Sequence, residues 1–129
     1  MSMDFTSRPV ILVYVSNHLH EETIAPVFFG IEEEQVPFVL KKDKYSSAEE
    51  AAYQAAQDSS LNVGIGYVDN RLVLHQKNLP MNQPYLQLNQ IQTCLDEQLK
   101  RFGENSARLV KGIPLKNLEA GTKEAHSSF

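Results

Sequence analysis

The feature that most constrains the fold is an unbroken apolar run near the N-terminus, PVILVYV at residues 9–15. A strand that faces water on one side alternates apolar and polar residues, so an uninterrupted β-branched run predicts a strand buried on both faces. Such strands are typical of α/β folds, in which helices cover both faces of a largely parallel sheet. The 129-residue chain has the usual size of a single domain, and it can bury a core without a disulfide or a metal.

The segments that follow alternate between helix and strand patterns. A helix is predicted to begin near Thr23, with Pro26 tolerated in its first turn and Pro37 limiting its end. The segment PFVLK (37–41) predicts a second strand, and the serine and glutamate residues at 46–50 form a capping-box pattern that opens an alanine-rich helix.

The second half of the chain predicts a hairpin and a third helix. LNVGIGYV (61–68) and RLVLHQ (71–76) flank an Asp-Asn turn, which indicates two antiparallel strands. The third helix contains Gly103 and stops before Pro114. Its apolar stripe is formed by Ile91, Leu95, Leu99 and Phe102.

These elements predict one three-layer α/β/α domain over residues 1–116, with a mixed, mostly parallel sheet that contains one antiparallel strand. Residues 117–129 are polar and aperiodic, and we expect them to form a disordered tail.

Composition excludes several classes of function. The net charge is −4 and the lysines are scattered, so the chain lacks the basic stripe expected of a nucleic-acid-binding protein. No apolar run approaches the roughly 20 residues that span a bilayer, and the N-terminus lacks a secretory signal pattern. The single cysteine excludes an internal disulfide and suits a reducing compartment, so we expect a cytoplasmic protein that contacts no membrane.

Few segments carry a chemical signal. The glycines of GIG (64–66) lie within a strand, where they favour close helix packing over a dinucleotide site. The loop HLHEE (18–22) follows the first strand, yet His18 and His20 lack a recognised metal-ligand spacing, so a surface loop is favoured. Cys94 has no evident activating base and is expected to be a buried, inert thiol. We therefore predict a non-catalytic chain.

A run of three glutamates at the end of the first helix needs a separate explanation. Carboxylates are unfavourable at the negative end of a helix dipole. A helical wheel places Glu33 opposite the core face, with Phe29 and Gly30 on the side of Glu33. Glu32 and Glu34 flank the core stripe and are expected to be solvated. The predicted core face consists of Ile24, Val27, Phe28, Ile31 and Gln35.

Two interpretations of this outer face remain open from the residues alone. The triplet can be a solvated helix end. Alternatively, the aromatic side chain and the glycine belong to a surface that docks a partner, and Glu33 meets a cation there.

Three blocks of the sequence resemble a known family. They are FFGIEEEQVPF (28–38), SSLNVGIGYVDNRLVLHQKNLP (59–80) and DEQLKRFGENSARLVKGIPL (96–115). In order and spacing, over residues 9–116, the chain resembles the small subunit of the diol/glycerol dehydratase-reactivating factor.

The resemblance implies a function in an assembly. In the family that the chain resembles, the large subunit of the factor is an actin-like ATPase. We expect a hetero-oligomer that contains two copies of each subunit. The assembly acts on adenosylcobalamin-dependent diol or glycerol dehydratase and lets damaged cobalamin leave, while the small subunit exchanges places with the dehydratase medium subunit. The small chain alone is not expected to bind cobalamin. The location is cytoplasmic, either free or enclosed in a bacterial microcompartment.

The resemblance also implies a site. The glutamate that matches Glu33 completes a Mg²⁺ site at the interface with the large subunit, which makes Phe29, Gly30 and Glu33 the expected interface residues. The family's double histidine is split here as His18-Leu19-His20, so no role is carried over to either histidine.

Two other functions remain as alternatives. The dehydratase medium subunit shares the fold, but it continues well beyond the last helix, so a chain ending in a short polar tail favours the reactivating factor. A small-ligand-binding α/β domain that uses the HLHEE loop is the more distant alternative.

Overall fold

The computed structural model describes residues 9–116, so the predicted disorder of residues 117–129 lies outside the described residues. Five strands are formed by Ile11–Ser16 (β1), Phe38–Asp43 (β2), Val63–Val68 (β3), Arg71–Gln76 (β4) and Leu86–Asn89 (β5). Three α-helices are formed by Ala25–Glu33 (α1), Ala48–Asp58 (α2) and Asp96–Lys111 (α3), and short 3-10 turns at Glu21–Ile24 and Ile91–Thr93 precede α1 and α3.

The strands form one sheet in the order β2-β1-β3-β4-β5. Strand β1 is parallel to both β2 and β3, whereas β4 is antiparallel to β3 and to β5. One strand therefore runs against the other four. This confirms the predicted mixed, mostly parallel sheet with a single antiparallel strand.

Helices cover both faces of the sheet, as the apolar run in β1 predicts. Ile11, Val13 and Val15 point into a core shared with α1 and α3. Leu12 and Tyr14 point into a second core formed with α2. All six residues of β1 are buried. None of the helices within residues 9–116 combines the length and the apolarity that crossing a bilayer requires.

The helix α2 lies unusually close to the sheet because both surfaces carry small residues. The Ser47 hydroxyl caps the helix by accepting a hydrogen bond from the Glu50 backbone N–H at 3.0 Å. A Cβ atom at Gly64 would overlap the backbone of Ala56, and one at Gly66 would overlap the backbone of α2 one turn earlier. The glycines of β3 thus allow α2 to pack closely on the sheet, as the sequence predicts.

A reciprocal glycine contact joins α1 to α3. A Cβ atom at Gly30 would overlap the backbone carbonyl of Lys100, and a Cβ atom at Gly103 would overlap the backbone carbonyl of Val27. Each helix therefore uses its glycine to admit the backbone of the other. This contact explains why a glycine is accepted inside α3, where it is unfavourable for helix formation.

The same contact corrects the predicted position of Gly30. The helical wheel placed Gly30 on the outer face, but the structure buries it against α3. The helical wheel was drawn for a helix with one buried face, directed at the sheet. In the structure, α1 packs both on the sheet and on α3. Gly30 admits a neighbouring helix of the same chain and is not open to a partner.

The region before α3 also differs from the prediction. Gln90 adopts a left-handed backbone with a φ of 53°, so the helical pattern breaks there and α3 begins only at Asp96. Ile91 reaches the core from a 3-10 turn, while Leu95 leaves 66% of its surface exposed and is not part of a buried stripe. Strand β5 was not predicted, because its four residues are too few to show a clear alternation.

We expect Gly103→Ala to lower the free energy of unfolding by about 3 kcal/mol, near the upper end of overpacking costs, because the added methyl group meets backbone on α1. Urea denaturation measures this change. Gly112→Asn is the matched control, since Gly112 has a φ of +72° and open space around it. Asparagine tolerates that backbone, so the control should stay within about 0.5 kcal/mol of the wild type. Equal losses in both variants would contradict the close helix contact.

Candidate functional site

The helix α1 ends in a Schellman motif that fixes where its glutamates point. The Val36 N–H bonds the Ile31 carbonyl at 3.4 Å, and the Gln35 N–H bonds the Glu32 carbonyl at 2.9 Å. Gln35 takes the left-handed position with a φ of 63° and is exposed, so its predicted place on the core face is wrong. Val36 is buried beside Ile31, which holds the end of the helix on the sheet.

The last glutamate of the run, Glu34, is structural. Its carboxylate accepts hydrogen bonds from Arg108 Nε at 3.0 Å and from Lys111 Nζ at 2.8 Å. Lys111 also donates to the backbone carbonyl of Glu34, which satisfies an acceptor at the helix end. The side chain of Glu34 is only 12% exposed, so the expectation that it is merely solvated is wrong.

Glu33 occupies a different environment on the outer face. Its Oε2 atom lies 2.9 Å from Lys100 Nζ, and about half of its side chain is exposed. The hydrogen bond that Lys100 donates lowers the pKa of Glu33, and the neighbouring Glu104 side chain lowers it further by a smaller amount. In the free chain, Lys100 therefore offsets the unfavourable placement of Glu33 at the negative end of its helix.

A second carboxylate lies beside Glu33. Glu104 is within hydrogen-bonding reach of Glu33 and is almost fully buried. Its Oε1 atom forms an ion pair with Lys116 Nζ at a distance of 3.2 Å. Lys116 is itself held in place, because Asn105 bonds both its backbone N–H and its carbonyl, at 2.6 and 2.9 Å. Glu33, Lys100, Glu104 and Lys116 form what we call the four-charge cluster.

The outer face of α1 also carries a large exposed aromatic side chain. Phe29, one turn before Glu33, leaves 57% of its surface exposed. Its neighbour Phe28 instead stacks on Phe38, with ring centroids 4.8 Å apart. The structure thus confirms that Phe29 points away from the core. A large exposed aromatic side chain beside a charged cluster is typical of a docking surface.

The half-exposed carboxylate of Glu33 is the kind of oxygen ligand that a magnesium ion prefers. Magnesium prefers oxygen ligands and is usually held by one or two carboxylates together with water. Glu33 presents an accessible carboxylate, and Glu104 lies next to it. Within residues 9–116, no group of three or more His, Cys, Asp or Glu side chains could hold a metal. A metal at Glu33 would therefore take its further ligands from a partner or from water.

The histidine loop forms an open cleft at the end of β1. His18 Nδ1 lies 3.0 Å from the Ser16 hydroxyl, and His20 is exposed. Glu50 accepts hydrogen bonds from the backbone and the hydroxyl of Ser46, so its carboxylate occupies the start of α2. A negative side chain at that position disfavours an anion there. The cleft is lined by Ser16, His18, Lys44, Tyr45, Ser46 and Glu50.

Cys94 lies just before α3 and not within it. The thiol is half-buried, with its Sγ atom 3.8 Å from the carbonyls of Asn89 and Gln90. Burial raises the pKa of the thiol. A raised pKa lowers the thiolate fraction, in keeping with the inert role predicted from the sequence.

Sequence reasoning missed the partners of the glutamates. Lys100 and Glu104 are four residues apart in α3, so their common face could be inferred from helical spacing. Their approach to Glu33 could not, because it depends on how α1 crosses α3. The roles of Lys116 and Asn105 depend on the chain folding back after α3, for which the sequence gives no local signal.

Comparisons with known proteins define the class to which this fold belongs. The sequence profile described as dehydratase medium subunit matches residues 8–116, which is the whole described domain. The chain is 42% identical over 119 residues to the propanediol dehydratase-reactivating factor small subunit of Salmonella typhimurium. That alignment covers 88% of this chain and 96% of the relative.

Solved structures agree with the sequence comparisons. A diol dehydratase-reactivating factor complexed with ADP and Mg²⁺ contains a chain that matches with a TM-score of 0.79 and 37% identity, covering 84% of this chain and 98% of that one. A glycerol dehydratase reactivase matches with a TM-score of 0.78 and 28% identity, covering 86% and 99%. The chain therefore belongs to the dehydratase medium-subunit family and, within it, to the small subunits of diol and glycerol dehydratase-reactivating factors.

We expect Glu34→Gln to destabilise the chain by about 1–2 kcal/mol at pH 7, because it weakens the bonds to Lys111 and Arg108. The hydrogen bonds from these two residues lower the pKa of Glu34 below its ordinary value of 4.5. A lowered folded-state pKa contributes stability above pH 4.5 that is lost as the pH falls further. Urea denaturation from pH 7 to pH 3 should therefore show the two proteins converging in acid.

Glu32→Gln is the matched control for this experiment, since Glu32 is exposed on the same helix end and carries the same charge. It should stay within about 0.5 kcal/mol of the wild type at every pH. A Glu34→Gln variant that behaves like this control would show that the bonds to α3 contribute nothing to stability.

Proposed function

We propose that the chain is the small subunit of a chaperone-like factor that restores inactivated diol or glycerol dehydratase. In this proposal it acts with an ATPase large subunit, and the assembly releases damaged cobalamin so that intact cofactor can enter. The observation that carries the proposal is the 42% identity to a propanediol dehydratase-reactivating factor small subunit over 96% of that protein.

The proposal includes subunit exchange with the dehydratase medium subunit. The profile of the medium subunit matches this chain over residues 8–116, whereas the relative that is covered over 96% of its length is a reactivating-factor small subunit. Two proteins that share one fold can present similar surfaces to the same partner. A small subunit that resembles the medium subunit can therefore replace it on the dehydratase and open a path for the cofactor.

Catalysis belongs to the large subunit in this scheme. The nucleotide in the related structure, ADP with Mg²⁺, fits an ATPase within that assembly. The small chain supplies a docking surface, which consists of Phe29 and the exposed part of the four-charge cluster. The assembly contains two copies of each subunit and works where the dehydratase is found, in the cytoplasm or within a microcompartment.

Glu33 supplies the contact to a cation at this surface. Its half-exposed carboxylate can become a magnesium ligand without unfolding any part of α1. The ion, when bound, would neutralise the carboxylate and link it to oxygen ligands on the large subunit. Glu104 lies behind Glu33 and remains paired with Lys116, which leaves Glu33 as the ligand from this chain.

The test is the association of the small subunit with the large subunit, measured by isothermal titration calorimetry with and without Mg²⁺. Wild-type association should strengthen when Mg²⁺ is present. Glu33→Gln keeps the size of the side chain but removes its charge, and it should reduce the magnesium-dependent gain by about tenfold or more. The thermal midpoint of the free variant should change little, because the ion pair with Lys100 is exposed.

Glu32→Gln is again the control, and it should retain the full magnesium effect. Glu34→Gln is unsuitable as a control because Glu34 supports the fold through Arg108 and Lys111. If Glu32→Gln and Glu33→Gln respond alike to Mg²⁺, Glu33 is part of a solvated helix end and the proposed cation contact is wrong.

A further inference from the structure

The carboxylate proposed to receive a metal is already neutralised in the free chain. Glu33 Oε2 lies 2.9 Å from Lys100 Nζ, and both side chains are partly exposed, by 51% and 43%. An ammonium group and a divalent cation cannot share this carboxylate closely, because two positive charges a few ångströms apart repel each other. A cation that binds Glu33 therefore competes with Lys100 for this carboxylate.

Only one of the two ion pairs in the four-charge cluster has a solvent-exposed carboxylate that a cation can reach. Lys100 projects from the surface of α3 on a flexible four-carbon chain, so its ammonium group can swing into water. The Lys116 side chain is as exposed as that of Lys100, and Asn105 fixes only its backbone, by donating to its carbonyl and accepting from its N–H, so the two pairs differ at their carboxylates. Glu104, the partner of Lys116, is only 6% exposed. One ion pair is thus exchangeable, and the other is held in place.

We infer that Lys100 is a built-in competitor of the divalent cation for Glu33 and sets the Mg²⁺ concentration at which the subunit docks. This inference rests on the proposed function, since it takes Glu33 to be a ligand at the subunit interface. In the free subunit, Lys100 keeps the docking face neutral at Glu33. During docking, Lys100 releases Glu33 and the cation takes its place.

The arrangement has a clear energetic consequence. Each magnesium ion that binds must first break an exposed ion pair, so the pair weakens the apparent affinity for Mg²⁺. Removing the ammonium group leaves the Glu33 carboxylate uncompensated and available. The variant should therefore dock at lower Mg²⁺ than the wild type, while its docking without Mg²⁺ should not improve.

The experiment uses Lys100→Met, which keeps the length of the side chain and removes its charge. Association with the large subunit is titrated against Mg²⁺ at constant ionic strength, and the midpoint concentration of Mg²⁺ is recorded. We expect the midpoint to fall by about two- to fivefold, the effect of losing one exposed ion pair. Thermal unfolding of each variant confirms that the subunit is folded.

Two controls isolate the role of Lys100. Lys42→Met removes the same charge from another exposed ion pair, with Glu21, and should leave the midpoint unchanged. In a Glu33→Gln background, Lys100→Met should have no effect on the residual magnesium response, because the carboxylate for which it competes is neutral.

The outcomes separate the inference from the proposed function. If Glu33→Gln removes the magnesium dependence but Lys100→Met leaves the midpoint unchanged or raises it, the competition is wrong and the cation contact stands. If Lys100→Met alters association equally with and without Mg²⁺, Lys100 is an ordinary contact residue and the inference is overturned. If Glu33→Gln keeps the full magnesium response, the proposed contact fails, and the inference fails with it.

Discussion

The reciprocal glycine contact between α1 and α3 is the constraint on which the rest of the structure depends. Gly30 admits the backbone of Lys100, and Gly103 admits the backbone of Val27. This close approach fixes the rotation of α1, so Phe29 and Glu33 face outward. It also brings the basic residues of α3 to the end of α1, where Lys100 pairs with Glu33 and Arg108 and Lys111 pair with Glu34.

The three glutamates at the end of α1 therefore have separate roles. Glu34 is tied to α3 and stabilises the helix end, whereas Glu32 remains exposed. Glu33 is intermediate between the two, because it forms an ion pair with Lys100 but that pair is accessible to water. An accessible, exchangeable pair is suited to a contact that forms and breaks. That property fits the reversible docking proposed for this surface.

Much of the fold follows from local patterns in the sequence. The apolar run of β1 identifies a strand covered on both faces, the capping serines identify the start of α2, and the Asp-Asn turn identifies the hairpin. Pro37 marks the end of α1 even though Gln35, and not a glycine, takes the left-handed position. Strand β5 was not predicted, because a strand of four residues at the sheet edge is too short to show a clear hydrophobic pattern.

The candidate site was predictable only in part, for a physical reason. A helical wheel describes one helix, so it placed Phe29 and Glu33 correctly on the outer face. It misplaced Gly30, because a second packing partner widens the buried side of α1. The ion pairs join residues far apart in sequence, such as Glu34 and Arg108, 74 positions apart. Such pairs depend on the crossing of two helices, which no local pattern specifies.

The most direct test of the account is photo-crosslinking from the outer face of α1 within the assembled factor. A benzoylphenylalanine at Phe29 should crosslink to the proposed large subunit, and mass spectrometry identifies the attached chain. The control places the same group at Gln54, which is exposed on α2 at the other face of the sheet, and it should give no such product. Crosslinks to the large subunit from Gln54 but not from Phe29 would contradict the assignment of this face as the docking surface.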